Sequence, residues 1–308
     1  MSDVANLSRL APAVSQLPVD WYFDEKIFEL EKKLIFDAGP GYVGHQLMVP
    51  EAGNYRSLEW KDHGQLLLNG GSAGEQAGNW QMSNVCRHRM STLLVGRGTV
   101  RSIVCPYHAW TYNLDGSLRG AAAMSQNEGF CKENIALPAI RCEVWQGWIM
   151  VTLNPDAPSP SVALQGIRDL IPYLDMSTYT ETFREDFNWA TNWKVLAENF
   201  MESYHLPMCH AGTIGGASKL DEMICPEGTD AFNYHWILKN DTVPLALAHP
   251  TNTTLQGDER RKTWLIAIYP SLLITLTPGY FWYLSLTPDG PGRVNVMFGG
   301  GLSADWMA

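Results

Sequence analysis

The strongest constraint on this 308-residue chain is a pair of short motifs that each combine one cysteine with one histidine. NVCRHRMS carries Cys86 and His88; sixteen residues further on, IVCPYHAW carries Cys105 and His108. Two Cys and two His in matched pairs can hold zinc, or a [2Fe–2S] cluster with both thiolates on one iron and both imidazoles on the other. Zinc-finger spacing puts Cys with Cys and His with His. Here each motif has one of each, so each loop can give a thiolate to one iron and an imidazole to the other. Trp110, then Asn113, Asp115 and Gly116 follow, as at a hairpin tip closing over a cluster. The surrounding residues, from Tyr42 to about Asn154, contain short alternating or β-branched runs (GHQLMVP, YRSLEW, QLLLNG, RSIVCP, GWIMVTLN) separated by Gly, Asn and Asp. They predict an all-β module of short strands.

A second concentration of chemistry lies in ATNWKVLAENFMESYHLPMCH, Ala190 to His210. Trp193 to Tyr204 lacks Gly and Pro and is rich in helix formers, with Asn192 as a predicted N-cap. On one helix, Asn199, Glu202 and His205 recur at three-residue steps and share a face, with Glu198 beside them. Pro207 is expected to end the helix at or before Leu206, so that the chain can turn His210 back toward His205. Two converging imidazoles with a carboxylate suit a divalent iron with open positions. A lone Glu-x-x-His is more often a solvated helix face, and the weight of this reading comes from the upstream motifs.

The remainder sets limits. Residues Asp24 to Phe36 predict an amphipathic packing helix with Ile27, Leu30 and Leu34 on its inner side, capped by Asp24 and stopped at Gly39-Pro40. A hydrophobic content of 45% is ample for a core, and a net charge of −10 argues against nucleic-acid or anionic-membrane partners. No run is long and apolar enough to span a membrane. MSDVANLSRLAPAVSQLP lacks the apolar core of a signal peptide, so a cytoplasmic location and thiol or metal-ligand roles for the six cysteines are expected. After His210, AGTIGGASKLDE reads as a loop. The runs AFNYHWIL, KTWLIAIYP, SLLITLTP, GYFWYLSLTP and RVNVMFGG then predict an antiparallel sheet behind a pocket. Trp236, Trp264, Tyr269, Tyr280, Phe281, Trp282 and Tyr283 lie on it, about half of them expected to face the pocket or helix. No nucleotide-binding Gly motif is present in the chain.

Taken together, CxH followed by CPYHAW, with NWKVLAENFMESYHLPMCH downstream and in that order, resembles the α subunits of the Rieske non-haem iron oxygenases, the aromatic-ring-hydroxylating dioxygenase family. The resemblance implies an α+β chain: a Rieske [2Fe-2S] β-sandwich over residues 42–155, and a helix-grip catalytic domain over residues 156–308 to which residues 1–41 contribute a helical segment. It implies Cys86, His88, Cys105 and His108 on the cluster, and His205 and His210 on a mononuclear Fe(II). Glu202 would bridge that iron to the cluster of a neighbouring subunit in a homotrimer, with His108 or His88 donating across the interface. Asn199 and Tyr204 would support the site. O2 would be the co-substrate, and a separate flavin/iron–sulfur reductase, with or without a ferredoxin, would pass on electrons from NAD(P)H, in keeping with the missing nucleotide-binding motif. The family's third iron ligand is an Asp on a long C-terminal helix. Asp305 comes too early and in a strand-to-loop context, so the C-terminal part is expected to be missing. Glu202, where ring-hydroxylating members usually have Asp, resembles the branch acting on carnitine, glycine betaine and related quaternary ammonium compounds. Oxidative N-demethylation or hydroxylation of such a compound is therefore expected, ring hydroxylation of an aromatic acid is the alternative, and a Rieske electron carrier or binding protein is the competing class.

Overall fold

A computed structural model describes residues 17–37, 41–58, 64–71, 81–124, 126–140, 142–151, 158–215, 222–239 and 243–307. Expectations for residues 1–16 and for 216–221, within the predicted loop, lie outside these. Two compact units result: Pro40–Ser161, and Met1–Gly39 together with Val162–Ala308.

The first unit is built from ten short strands: β1 (Gly41–His45), β2 (Asn54–Ser57), β3 (Gln65–Leu68), β4 (Gln81–Ser83), β5 (Arg97–Thr99), β6 (Ile103–Val104), β7 (Thr111–Tyr112), β8 (Leu118–Gly120), β9 (Cys142–Trp145) and β10 (Trp148–Val151). They form antiparallel sheets in the orders β1-β10-β9, β4-β3-β2-β5 and β6-β7-β8. Strand β3 explains why QLLL has no polar alternation. Leu67 enters a core with Val49, Leu58, Ile149 and Val151 between the first two sheets. Leu66 and Leu68 enter a second core around Cys86, Cys105, Trp110 and Tyr112. Successive side chains leave a strand on opposite faces, so a strand between two cores must be apolar throughout.

The other unit contains helices α1 (Glu25–Glu31), α2 (Pro160–Ala163), α3 (Gln165–Leu170), α4 (Trp193–Met201), α5 (Leu206–Cys209) and α6 (Ala304–Met307); α2 begins two residues before the division between units. Its strands are β11 (Thr180–Trp189), β12 (Met223–Ile224), β13 (Phe232–Leu238), β14 (Lys262–Ile268), β15 (Leu272–Leu276), β16 (Tyr280–Pro288) and β17 (Val294–Leu302). They make one antiparallel seven-stranded sheet, β11-β17-β16-β15-β14-β13-β12. Five of its strands follow the predicted runs. Strand β11, TETFREDFNW, has too many charges to read as a strand, yet it pairs along almost its whole length with β17.

One sheet face packs under α4. Phe200 joins Ala267, Leu273, Leu284, Leu286, Val294 and Val296 there, with Leu196, Ala197 and Met201 against them. On the opposite face the Phe232 ring lies against Gly166 of α3, where a Cβ would come within 3.0 Å of it. Asp24 caps α1 through bonds from the Lys26 and Ile27 amides, as expected. The inner side differs: Phe28 and Glu31 are buried, while Leu30 and Leu34 are exposed. Glu31 accounts for the difference. Its carboxylate accepts from Lys194 Nζ at 2.7 Å and Trp193 Nε1 at 2.9 Å, which draws a charged residue to the inside and turns the leucines out. The Tyr22 hydroxyl donates to Glu198 at 2.7 Å, a bond that, with some burial and the carboxylate charge, pushes the phenol pKa up to about 12. Asn192 Nδ2 donates to the Tyr22 and Pro291 carbonyls.

The Glu31–Lys194 pair is almost fully buried, and removing one partner of such a pair strands the other charge. Lys194→Met is expected to lower unfolding free energy by about 3–5 kcal/mol, and adding Glu31→Leu to recover much of the loss; urea melts followed by circular dichroism measure both.

Candidate metal centres

The two Cys–His loops share one backbone design despite their different spacings. In the first, the Cys86 amide donates to the Ser91 carbonyl and the Met90 amide donates to the Cys86 carbonyl. In the second, the Cys105 amide donates to the Trp110 carbonyl and the Ala109 amide to the Cys105 carbonyl. Met90 and Ala109, four residues after their cysteines, both adopt left-handed backbone, with φ of 58° and 56°. Non-glycine residues pay for that conformation, and such strain persists where the surroundings demand it.

This design sorts the donors by type. Cys86 lies within hydrogen-bonding reach of the Cys105 sulfur, and the His88 and His108 rings have centroids 4.8 Å apart. Burial opposes the Cys105 thiolate, but the amides of Tyr107 and His108, with Cys86 and Ser91, outweigh it and hold the pKa below the ordinary thiol value. Desolvation, and then the nearby His108 and Arg89, lower the pKa of His88. Its Nδ1 is buried without a hydrogen-bond partner. Two thiols on one side, two imidazoles on the other and an open buried ring nitrogen fit a [2Fe–2S] cluster.

Two contacts here escaped the sequence reading. The Trp110 ring stacks on His88, centroids 4.7 Å apart and planes within 7°. The Tyr112 hydroxyl sits 3.3 Å from Cys86 Sγ and accepts from the Arg87 amide at 3.0 Å. The only signal for Tyr112 is its place in the short strand that follows the second motif.

In the other unit, Asn192 caps α4 as expected, its side chain accepting from the Lys194 amide. The helix then ends earlier than predicted, at Met201. Glu202 is extended, with φ −106° and ψ 138°, so Asn199, Glu202 and His205 do not share a helix face. Pro207 does not stop a helix; it sits in the first turn of α5, where its missing N–H costs nothing. The cause of the early end is local. The Glu202 carboxylate accepts from the amides of Tyr204 and His205 and contacts His205 Nδ1, taking over donors that a continuing helix would have used.

This tight turn brings His205 and His210 together, ring centroids 5.3 Å apart. With Nδ1 of His205 engaged by Glu202, Nε2 is left for a metal, and the carboxylate fixes the ring's tautomer. The pair fits part of a mononuclear iron site. Asn199 is exposed on α4, and Tyr204 is exposed with its amide bonded to Glu202. Asp305 lies in α6, rather than between strand and loop, and accepts from Asn252 Nδ2 at 2.8 Å. Ser203, between the exposed Glu202 and Tyr204, is buried, and its hydroxyl meets His235 Nε2 at 2.9 Å. Burial pushes the His235 pKa down to about 4, with the Glu202 charge acting in the opposite sense, so the ring is neutral at physiological pH.

Sheet register sorts the aromatic residues. Phe183, Gly300, Trp282, Thr275, Leu265 and His235 form one row across six strands on the α4 side. Gly300 leaves room for the Phe183 ring, which a Cβ would approach to 2.8 Å. Tyr280 shares the parity of Trp282. Trp236, Trp264, Phe281 and Tyr283 alternate to the opposite face, and Lys262 Nζ lies over Trp236 and Trp264 at 4.3 and 5.2 Å.

Comparison with known proteins places the chain in a family. A Rieske [2Fe-2S] domain model matches residues 42–141, and the model "Ring hydroxylating alpha subunit (catalytic domain)" matches residues 176–299. Putrescine 2-hydroxylase of Ralstonia nicotianae is 32% identical over 307 residues, covering 95% of this chain and 78% of that protein. The oxygenase subunit of glycine betaine monooxygenase from Pseudomonas aeruginosa is 30% identical over 217 residues, 70% of this chain and 49% of the relative. A crystal structure of a quaternary ammonium Rieske monooxygenase in complex with an inhibitor superposes with a TM-score of 0.75 at 22% identity, over 93% of this chain and 79% of that one. The fold is that of a Rieske oxygenase. The chain belongs to the ring-hydroxylating α-subunit family of Rieske non-haem iron oxygenases: an oxidoreductase subunit whose cofactors are a Rieske [2Fe–2S] cluster and a mononuclear iron, with O2 as co-substrate. Members are oxygenase components of multimeric systems that receive electrons from a partner protein. Among the described residues, no helix is long and apolar enough to cross a membrane.

A hydrogen bond from Tyr112 to the Cys86 sulfur favours the more negative, reduced state of the centre. Tyr112→Phe is expected to lower the cluster's reduction potential by roughly 40 mV, the equivalent of about 1 kcal/mol for one electron. A spectroelectrochemical titration measures it.

Proposed function

We propose that this chain is the terminal oxygenase for a small aliphatic ammonium compound. It would hydroxylate a C–H bond near the charged nitrogen, with the quaternary, betaine-like class as the leading candidate. The observation that carries this reading is the shared chemistry of the relatives: by their names they act on putrescine, glycine betaine and quaternary ammonium compounds, all small molecules that carry a positively charged alkyl nitrogen.

In this reading Cys86, Cys105, His88 and His108 hold the cluster, and His205 and His210 hold the iron together with a further ligand. When bound, the cluster stores and delivers single electrons and the iron activates O2. The reaction balances as C–H + O2 + 2 e⁻ + 2 H⁺ giving C–OH + H2O. On an N-methyl group the product is a carbinolamine that releases formaldehyde, which is oxidative N-demethylation. The chain's own residues position the parts. Glu202 holds His205 by Nδ1, and its side chain, 45% exposed, remains open to a second donor. That donor would be a cluster histidine of a neighbouring protomer, His108 or His88, in a homotrimer, giving electrons a short hydrogen-bonded route. A flavin/iron–sulfur reductase would supply them. Half-buried Trp282, on the α4 side of the sheet and edge-on to Phe200, offers an aromatic surface for a cationic head. Trp236 and Trp264 are occupied by Lys262 and lie on the other face.

Reconstituted enzyme with a compatible reductase is expected to oxidise NADH and consume O2 in response to betaines or diamines, with hydroxylated or demethylated product by mass spectrometry. Response only to aromatic acids would replace this reading with ring hydroxylation. Glu202→Ala is expected to keep both metal centres filled and to cut product formed per NADH by about tenfold, the lower range for loss of a residue that orients a metal ligand. Unchanged coupling would exclude Glu202 from the bridge.

A further inference from the structure

We propose that His235 is a positioning residue for the iron-binding turn, acting through Ser203 to hold Glu202 and His205 in register. The inference rests on the reading of His205 as an iron ligand.

The argument begins with what anchors residues 202–206. Glu202 and Tyr204 face outward, and His205 points toward His210. The bonds made by the Glu202 carboxylate, and the bond from the Leu206 amide to the Ser203 carbonyl, are all internal to the turn. They give it shape, and backbone bonds join it to α4 (Glu202 amide to the Glu198 carbonyl) and to α5 (Met208 and Cys209 amides to the His205 carbonyl), but none of these ties it to the sheet. Ser203 is the residue of this turn that points into the protein: it is 4% exposed, and its hydroxyl bonds to a ring that is 3% exposed.

His235 is itself rigidly placed. It sits mid-strand in β13, paired with Leu265 of β14, on the face that packs under α4. The sheet thereby fixes the height and direction of the turn. A buried hydroxyl that loses its partner loses its reason to stay inside. With it gone, residues 202–205 keep their internal bonds and their backbone bonds to α4 and α5, but lose the side-chain contact that sets their position against the sheet. The placement of Glu202 and His205 against the sheet therefore depends on a contact that neither iron-site imidazole makes. Either tautomer of a neutral ring serves, since the serine hydroxyl can donate or accept.

The test uses cluster-loaded protein from which the mononuclear iron has been removed by chelation, titrated with Co(II) and followed by its d–d absorption. Ser203→Ala and His235→Leu are each expected to weaken Co(II) binding by about tenfold, with the visible spectrum of the cluster unchanged. Because both act through one contact, the double variant should be no worse than either single one. His235→Gln, whose amide can reach the position of Nε2, should recover most of the affinity. Ser203→Ala removes a single atom, so a failure of His235→Leu to fold leaves the question decided by Ser203→Ala and His235→Gln. Wild-type affinity in Ser203→Ala, or additive losses in the double variant, would overturn the proposal. His205→Ala separates the two levels: if it still binds Co(II) like the parent, the iron-ligand reading fails and this inference with it. Loss in His205→Ala beside full binding in Ser203→Ala rejects the latch alone.

Discussion

The candidate iron site depends on a helix that stops. In α4 the apolar side faces the sheet and is held there by burial, while Glu31 and Tyr22 clamp its outer side through Lys194, Trp193 and Glu198. A helix fixed so firmly would carry His205 and His210 apart if it continued, because residues five apart point in different directions at 100° per residue. The carboxylate of Glu202 resolves this. It gathers the amides and the ring nitrogen that follow it, and the chain changes direction within four residues. Thus the residue that ends the helix is also the one that orients the first imidazole. Rigidity upstream and a tight turn downstream are both required, since a site on a frayed helix end would not hold two rings within reach of one ion.

The other unit solves a related problem by repetition. Two loops with the same closing hydrogen bonds and the same left-handed residue carry their histidines at different offsets, two residues after Cys86 and three after Cys105. An identical pair of loops with identical spacings would present equivalent donors symmetrically. The observed difference still gathers thiol with thiol and imidazole with imidazole, and Trp110 and Tyr112 then treat the two sides differently. The stacked indole limits movement of His88, and the phenol hydroxyl approaches Cys86. Burial of the Tyr112 ring and its bond to Cys86 push its own pKa upward, which keeps it a neutral donor throughout the working range.

Much of this was legible in the residues, for reasons that differ from element to element. The metal-binding motifs declare themselves because few other functions require Cys and His at such spacings. The strands of the large sheet declare themselves through β-branched and aromatic runs. The position of the α4 terminus did not, because Glu202 is a good helix former and its capture of the following amides is a matter of side-chain geometry, which no propensity records. Strand β11 was hidden by charges on an edge that pairs on one side only. The inner side of α1 was misread because a buried ion pair outweighed two leucines, which a hydrophobic pattern cannot anticipate. His235 gave no signal at all: a histidine in a strand looks the same whether it fills a core or fastens a loop.

The aromatic residues show how far composition alone can mislead about a pocket. A sheet with so many Trp, Tyr and Phe suggests an aromatic cavity. Register then divides them, and the tryptophan pair best arranged to receive a cation already holds Lys262. On the side facing α4, the row that includes His235 carries Trp282 and, at its far end, Phe183, with Thr275 and Leu265 between Trp282 and His235. Phe183 and Trp282 each approach Phe298 edge-on, so these rings pack against one another as well as facing α4. A two-residue period thus decides which half of an aromatic strand faces α4 and the turn that follows it.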